Sequence, residues 1–164
     1  GHKRIAFIGE ETDKSTGFLK GSLELNLEYH ADYFMKITST YYQGVQENHR
    51  EMEQKFHKLW QSSCRPTALI LDSQDTAFGL INILRDLNIS VPKDVSIISY
   101  DDIPELSVYE VPLTTCGPSV KEIVQIILDL YECYDNHETW DNVRKVVSEI
   151  VVRESTPTIT RPQT

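Results

Sequence analysis

Apolar positions along this chain follow two rhythms, short unbroken runs and longer stretches with apolar residues three or four apart, separated by polar loops. An unbroken β-branched run bounded by turn formers reads as a strand covered on both faces; the three-to-four spacing reads as a helix with one buried stripe. Residues 5–8 form the first run and end at Gly9, followed by the polar loop GEETDKST. Over 17–29, Phe18, Leu19, Leu23 and Leu27 keep helical spacing, and 33–37 is a second strand that runs into Thr38-Ser39-Thr40. Residues 43–62 put Val45, Met52, Phe56, Leu59 and Trp60 roughly on one face with charges opposite, a long amphipathic helix that Arg65-Pro66 breaks.

Residues 67–71 predict the third strand, running into Asp72-Ser73-Gln74-Asp75, where Ser or Asp can cap a helix whose stripe is Ala77, Leu80, Ile81, Leu84 and Leu87. A turn at Val91-Pro92-Lys93-Asp94 then opens the strand 95–100, which stops on Asp101-Asp102. Three strand-to-helix units in succession predict an α/β fold: a parallel sheet with helices on both faces and right-handed crossovers. After Thr115, Gly117-Pro118 offers a proline for the first turn of a helix striped by Val120, Ile123, Val124, Ile127, Leu130, Tyr131 and Tyr134. Residues 135–142 form a polar connection containing Trp140, 146–152 predict a last strand with Arg153-Glu154-Ser155-Thr156 at its end, and 158–164 form a tail.

Topology alone brings four polar strand ends to one edge of such a sheet: 10–15, 38–42, 72–75 and Asp101-Asp102. Open α/β sheets bind ligands in the crevice at that edge. The rim suits a small polyhydroxylated ligand, because a carboxylate accepts from neighbouring hydroxyls while a lysine such as Lys14 donates from the far side. Tyr41, Tyr42 and Tyr109 are available as aromatic faces. Asp101 and Asp102 serve equally well as turn and cap residues, and Lys14 as a solvated loop lysine. Asp72, Asp75 and Asp101 form an acidic rim that could instead hold Mg²⁺ in an α/β enzyme. That alternative calls for a phosphate-cradling loop, and neither GxGxxG nor GxxxxGK occurs in the sequence. His49 and His57, eight apart on one helix, lack a third ligand nearby and read as surface residues. No GxSxG elbow occurs and no cysteine sits in a recognisable Cys-His motif, so a non-enzymatic role is expected, with no cofactor.

Composition narrows the partners. The 164 residues carry a formal charge of −9 with lysines and arginines scattered singly, which argues against this stretch gripping nucleic acid itself. No 18-residue apolar run marks a membrane span, and the apolar run of GHKRIAFIG is too short for a secretory signal. Three widely spaced cysteines, Cys64, Cys116 and Cys133, imply neither a disulfide framework nor a zinc site, in keeping with a reduced, cytoplasmic chain.

The blocks GHKRIAFIG, TGFLKGSL, PTALILDSQDTAFGLINILRDLNISVPKDVSIISYDDIPELSVYEVPLTT and VVRES, in this order and spacing, resemble the effector-binding domain of the LacI/GalR family of bacterial transcription regulators over roughly residues 1–156. The resemblance implies a periplasmic-binding-protein-like fold of two α/β subdomains with a sugar or nucleobase effector in the cleft between them. It implies that 1–114 form the C-terminal subdomain, 115–144 belong to the N-terminal subdomain, 145–156 return as a strand and 157–164 are a tail. The helix at 118–134 would then carry an apolar stripe whose covering lies in the other subdomain. Asp101 matches the family's effector-binding aspartate, with Asp102 beside it. Lys14 falls where the family usually has arginine, keeping the charge but losing the two-pronged donor. Ser73 and Gln74 fall where the family usually has Asn-Asp, so Ser73 reaches less far. The expected effector site is therefore Asp101, Lys14, Ser73 and Asp102. The implied protein is a homodimeric, sugar-responsive repressor that reads operator DNA through an N-terminal domain outside this chain and makes no membrane contact. A head of the winged-helix type, as in arabinose-type regulators, and a soluble sugar-binding protein of transport are the alternatives.

Overall fold

The computed structural model describes residues 1–37, 45–137, 139 and 146–157, with the backbone alone for 45–48 and 119. They build one six-stranded sheet: β1 (Ile5–Gly9), β2 (Phe34–Lys36), β3 (Ala68–Leu71), β4 (Ser96–Asp102), β5 (Thr114–Ser119) and β6 (Glu149–Val151). The order across the sheet is β2-β1-β3-β4-β5-β6, with β1 to β5 parallel and β6 antiparallel to β5.

Helices lie on both faces, as alternation along β1 shows. Phe7 points to one side, where its ring stacks on Phe18 of α1 (Asp13–Glu24) at 5.5 Å and on Phe34 at 5.7 Å. Ala6 and Ile8 point to the other. There they join a core with Met52, Phe56 and Leu59 of α2 (Val45–Gln61) and Ala77, Leu80, Ile83 and Leu84 of α3 (Gln74–Asp86). Side chains that meet protein on both faces explain why β1 and β3 are continuous apolar runs.

Helix boundaries depart from apolar periodicity where capping intervenes. α1 begins four residues before the predicted start because Thr12 caps it: Thr12 Oγ1 accepts from Lys14 N at 3.3 Å and Ser15 Oγ accepts from Thr12 N at 3.0 Å. It stops at Glu24, leaving Leu27 outside, because Asn26 turns left-handed (φ 49°) while Leu27 N closes on Ser22 O at 3.0 Å and Asn26 N on Leu23 O at 3.2 Å. α3 ends the same way, with Asn88 at φ 54° and Ile89 N donating to Leu84 O at 2.9 Å. The Leu-Asn-apolar triplets are the stop signals that the spacing does not display.

Two further differences lie near the crevice. β4 continues through both aspartates, and Gly117-Pro118 belongs to β5, not to the following helix, α5 (Val120–Asp135). Proline is tolerated there because the β6 pairing ends at Gly117↔Glu149, so no ladder bond to β6 is asked of Pro118. A four-residue helix, α4 (Pro104–Ser107), links β4 towards β5. The α5 stripe forms as predicted, but no residue of α5 is buried, and Ile127 and Tyr131 are 58% and 64% exposed. The predicted strand end at 38–42 with Tyr41 and Tyr42, Trp140 and the 158–164 tail lie outside the described residues.

Candidate functional site

The carboxyl ends of β1, β3 and β4 converge as the topology requires, and Lys14 binds them together. It stands in the first turn of α1, and its Nζ donates to Asp72 O at 2.8 Å and to Asp101 Oδ2 at 3.3 Å. The ammonium also lies 5.0 Å from the centroid of the Tyr100 ring, a cation–π placement. Lys14 and Asp101 side chains remain 37% and 47% exposed, so the pair is open to an incoming ligand.

Asp72, directly after the buried Leu71 at the end of β3, is committed to holding the rim. Its Oδ2 accepts from Glu10 N at 2.7 Å, and its Oδ1 accepts from Thr76 Oγ1 at 2.6 Å and Ser73 Oγ at 3.1 Å. This ties the end of β1 to the start of α3. The approach is so close that a Cβ on Gly9 would fall 2.0 Å from Asp72 Cγ, which is why the first strand must close on glycine. Ser73 caps α3, accepting from Thr76 N at 3.3 Å. A carboxylate already holding three donors has little left for Mg²⁺, and among the described residues no three His, Cys, Asp or Glu side chains gather as a metal site.

The two adjacent aspartates part company. The ladder shifts register between Tyr100 and Asp102, and Asp101 takes a left-handed backbone (φ 67°) that turns its side chain to Lys14. Asp102 faces the other way. Its Oδ1 accepts from Thr115 Oγ1 at 2.7 Å and from Arg153 Nη2 at 2.7 Å, with Asp102 and Arg153 side chains only 15% and 17% exposed. Burial pushes the Asp102 carboxyl upward, yet the Thr115 hydroxyl and the Arg153 guanidinium outweigh it and hold the group below the ordinary aspartate value.

Arg153 also donates through Nη1 to Leu113 O at 2.8 Å and Thr115 Oγ1 at 2.9 Å. Its neighbour Ser155, fully buried, accepts from Thr114 N and donates to Ile97 O, each at 2.7 Å. The VVRES block is thus a polar clasp across β4 and β5, a role that periodicity does not reveal. Cys116, on β5 beside Tyr100, has its thiol pushed up by burial and by the Asp101 charge, with Lys14 opposing. Tyr109 packs against Phe78 of α3, ring centroids 6.0 Å apart.

Of the four residues expected at the site, the fold brings Lys14 and Asp101 into contact, assigns the Ser73 hydroxyl to the cap of α3 and ties Asp102 to Arg153. A mostly parallel sheet with a charged pair across its strand ends has the architecture in which open α/β domains place their ligands. The chain belongs to the periplasmic binding protein-like domain family, whose model matches residues 1–156.

Within that family it is homologous to the effector-binding domains of LacI/GalR regulators. It is 30% identical over 166 residues to the HTH-type transcriptional repressor PurR of Histophilus somni (strain 2336), covering 97% of this chain and 47% of the repressor. Catabolite control protein A of Priestia megaterium is 26% identical, with 95% of this chain and 47% of that protein covered. The fold matches the crystal structure of transcription regulator CcpA of Lactococcus lactis at a TM-score of 0.73 and 21% identity, over 96% of this chain and 57% of the other. It also matches a LacI family transcriptional regulator from Lactobacillus casei with bound glucose at a TM-score of 0.69 and 21% identity, over 95% and 57%. The chain therefore spans about half the length of the curated relatives it matches. No helix among the described residues is long and apolar enough to cross a membrane.

Proposed function

We propose that this chain is the effector-binding and dimerisation part of a bacterial transcriptional regulator, a non-enzymatic, cytoplasmic homodimer that represses a carbohydrate-utilisation operon. The supporting observation is the Lys14–Asp101 pair, half open, at the strand ends of a domain homologous to those of PurR and CcpA. In this reading Asp101 accepts from two hydroxyls of a sugar, Lys14 donates to a third, and the Tyr100 ring beneath Lys14 limits where the ammonium can swing. Ser73 and Asp102 act at the same site by holding the rim in shape, Ser73 through the α3 cap and Asp102 through Arg153.

Control of DNA follows from population shift. A sugar that prefers one cleft geometry changes the placement of operator-binding domains joined to this one, by as much as its affinity differs between the two geometries. Calorimetric titration of the intact protein with glucose, sucrose, arabinose and ribose is expected to find one that binds, and Asp101→Ala is expected to weaken it at least tenfold while Tm stays within a few degrees. Unchanged affinity in Asp101→Ala removes the aspartate from the site. A secretory signal in place of a DNA-reading head in the flanking sequence would replace the regulator by a transport protein.

A further inference from the structure

We infer that Arg153 is the positioning residue of the effector site: by locking Asp102 from the far end of the chain, it fixes the turn of backbone that presents Asp101 to Lys14. The inference rests on Asp101 being the effector contact, and it adds a residue that touches no ligand.

Asp101 is held in a backbone region that an aspartate visits at a cost, and such a conformation persists only where the surroundings over-determine it. Two constraints do so, one on each side. From β5, Gly117 comes so close that a Cβ on it would lie 3.3 Å from both Cα and N of Asp101, so the space behind that backbone is closed. From the next residue, Asp102 is pinned through Oδ1 by Thr115 Oγ1 and Arg153 Nη2.

Arg153 is itself immobilised. Its second nitrogen bonds Leu113 O and Thr115 Oγ1, while its own N–H donates to Thr114 Oγ1 at 2.9 Å. The guanidinium thus bridges the carboxyl end of β4 and the body of β5, and the register shift between Tyr100 and Asp102 falls next to the residue that meets that fork. Release Asp102, and the left-handed turn at 101 loses one of its two supports; the Asp101 carboxylate is then free to leave Lys14. Lysine cannot take over, since one ammonium cannot reach Asp102, Thr115 and the Leu113 carbonyl in the planar arrangement that the fork spans.

A native reporter sits beside the pair. The charge of Asp101 holds back ionisation of the Cys116 thiol, and only the thiolate is alkylated. The test follows iodoacetamide modification of the peptide carrying Cys116 by mass spectrometry, at fixed neutral pH, in the intact protein. Arg153→Lys and Asp102→Asn are each compared with the parent, and each is also combined with Asp101→Asn. The parent-to-variant change is expected to be an acceleration of about threefold in both variants, and to vanish when residue 101 is already Asn, because the charge that was displaced is no longer there. An unchanged rate in both variants, or the same acceleration whether residue 101 is Asp or Asn, overturns the inference: the first shows that the clasp does not steer Asp101, the second that it only loosens packing. The reading of Asp101 as an effector contact fails separately, in the sugar titrations, which do not involve the thiol.

Discussion

Two carboxylate clusters sit within one residue of each other at the end of β4, and they are built for opposite purposes. On the β1 and β3 side, Asp101 meets one flexible lysine, is 47% exposed in its side chain and stands on a left-handed backbone. On the β5 and β6 side, Asp102 meets a fork that is fixed at both of its terminal nitrogens and is 15% exposed. The first cluster can exchange its partner for a ligand at little cost. The second cannot, because a partly buried charge left alone loses far more than an exposed one. The pair teaches that in a repeated residue the chemistry lies in the flanking strand, here Arg153 and Gly117, and not in the aspartate.

The sharpest way to break the contrast is to empty the fork. Arg153→Ala leaves Asp102 with Thr115 alone and frees the Leu113 carbonyl; it is expected to cost about 3 kcal/mol, read as a lower urea midpoint with unchanged m-value. A loss below about 1 kcal/mol would place the Asp102 cluster in the same class as an exposed ion pair.

Acid provides a smaller effect with a definite sign. The folded-state value of Asp102 lies below its unfolded value, so the unfolded chain binds the extra proton. Its contribution to stability is complete above the unfolded value, near 4, and is lost as pH falls through the depressed folded value. Denaturant curves across the acid range are expected to become shallower in pH by part of one proton in Asp102→Asn, with no corresponding change near neutrality. A slope unchanged by the substitution would mean that the Asp102–Arg153 contact does not persist in solution.

How far the sequence revealed each cluster follows from what generates it. The β1, β3 and β4 runs and the α2 and α3 stripes were legible because burial on defined faces writes a period into the chain, and the convergence of Lys14, Asp72 and Asp101 at one edge follows from topology. The α1 and α3 ends were obscured because Asn26 and Asn88 stop a helix by backbone conformation and not by hydrophobicity. The clasp was legible only as a matching block: Arg153 and Asp102 are 51 positions apart, and nothing in a local pattern announces a contact across that distance. The apolar stripe of α5 was read correctly as a stripe, but the same periodicity that buries Leu80 and Leu84 in α3 leaves every residue of α5 unburied. Periodicity reports an amphipathic helix, and burial requires an opposing surface.

The smallest effect separates stability from function at the exposed cluster. A glycine at position 101 accepts φ 67° without steric cost, while aspartate pays for it and recovers little from a lysine in open solvent. Asp101→Gly is therefore expected to leave the fold unharmed and even to stabilise it by about 0.5 kcal/mol, net of the greater freedom of glycine in the unfolded chain. Effector binding would be lost together with the carboxylate. Thermal unfolding and sugar titration of the same variant read the two quantities. A protein made less stable by more than about 1 kcal/mol would show that Asp101, like Asp102, is part of the scaffold, because a residue that is strained for the sake of a ligand is one the fold gains by losing.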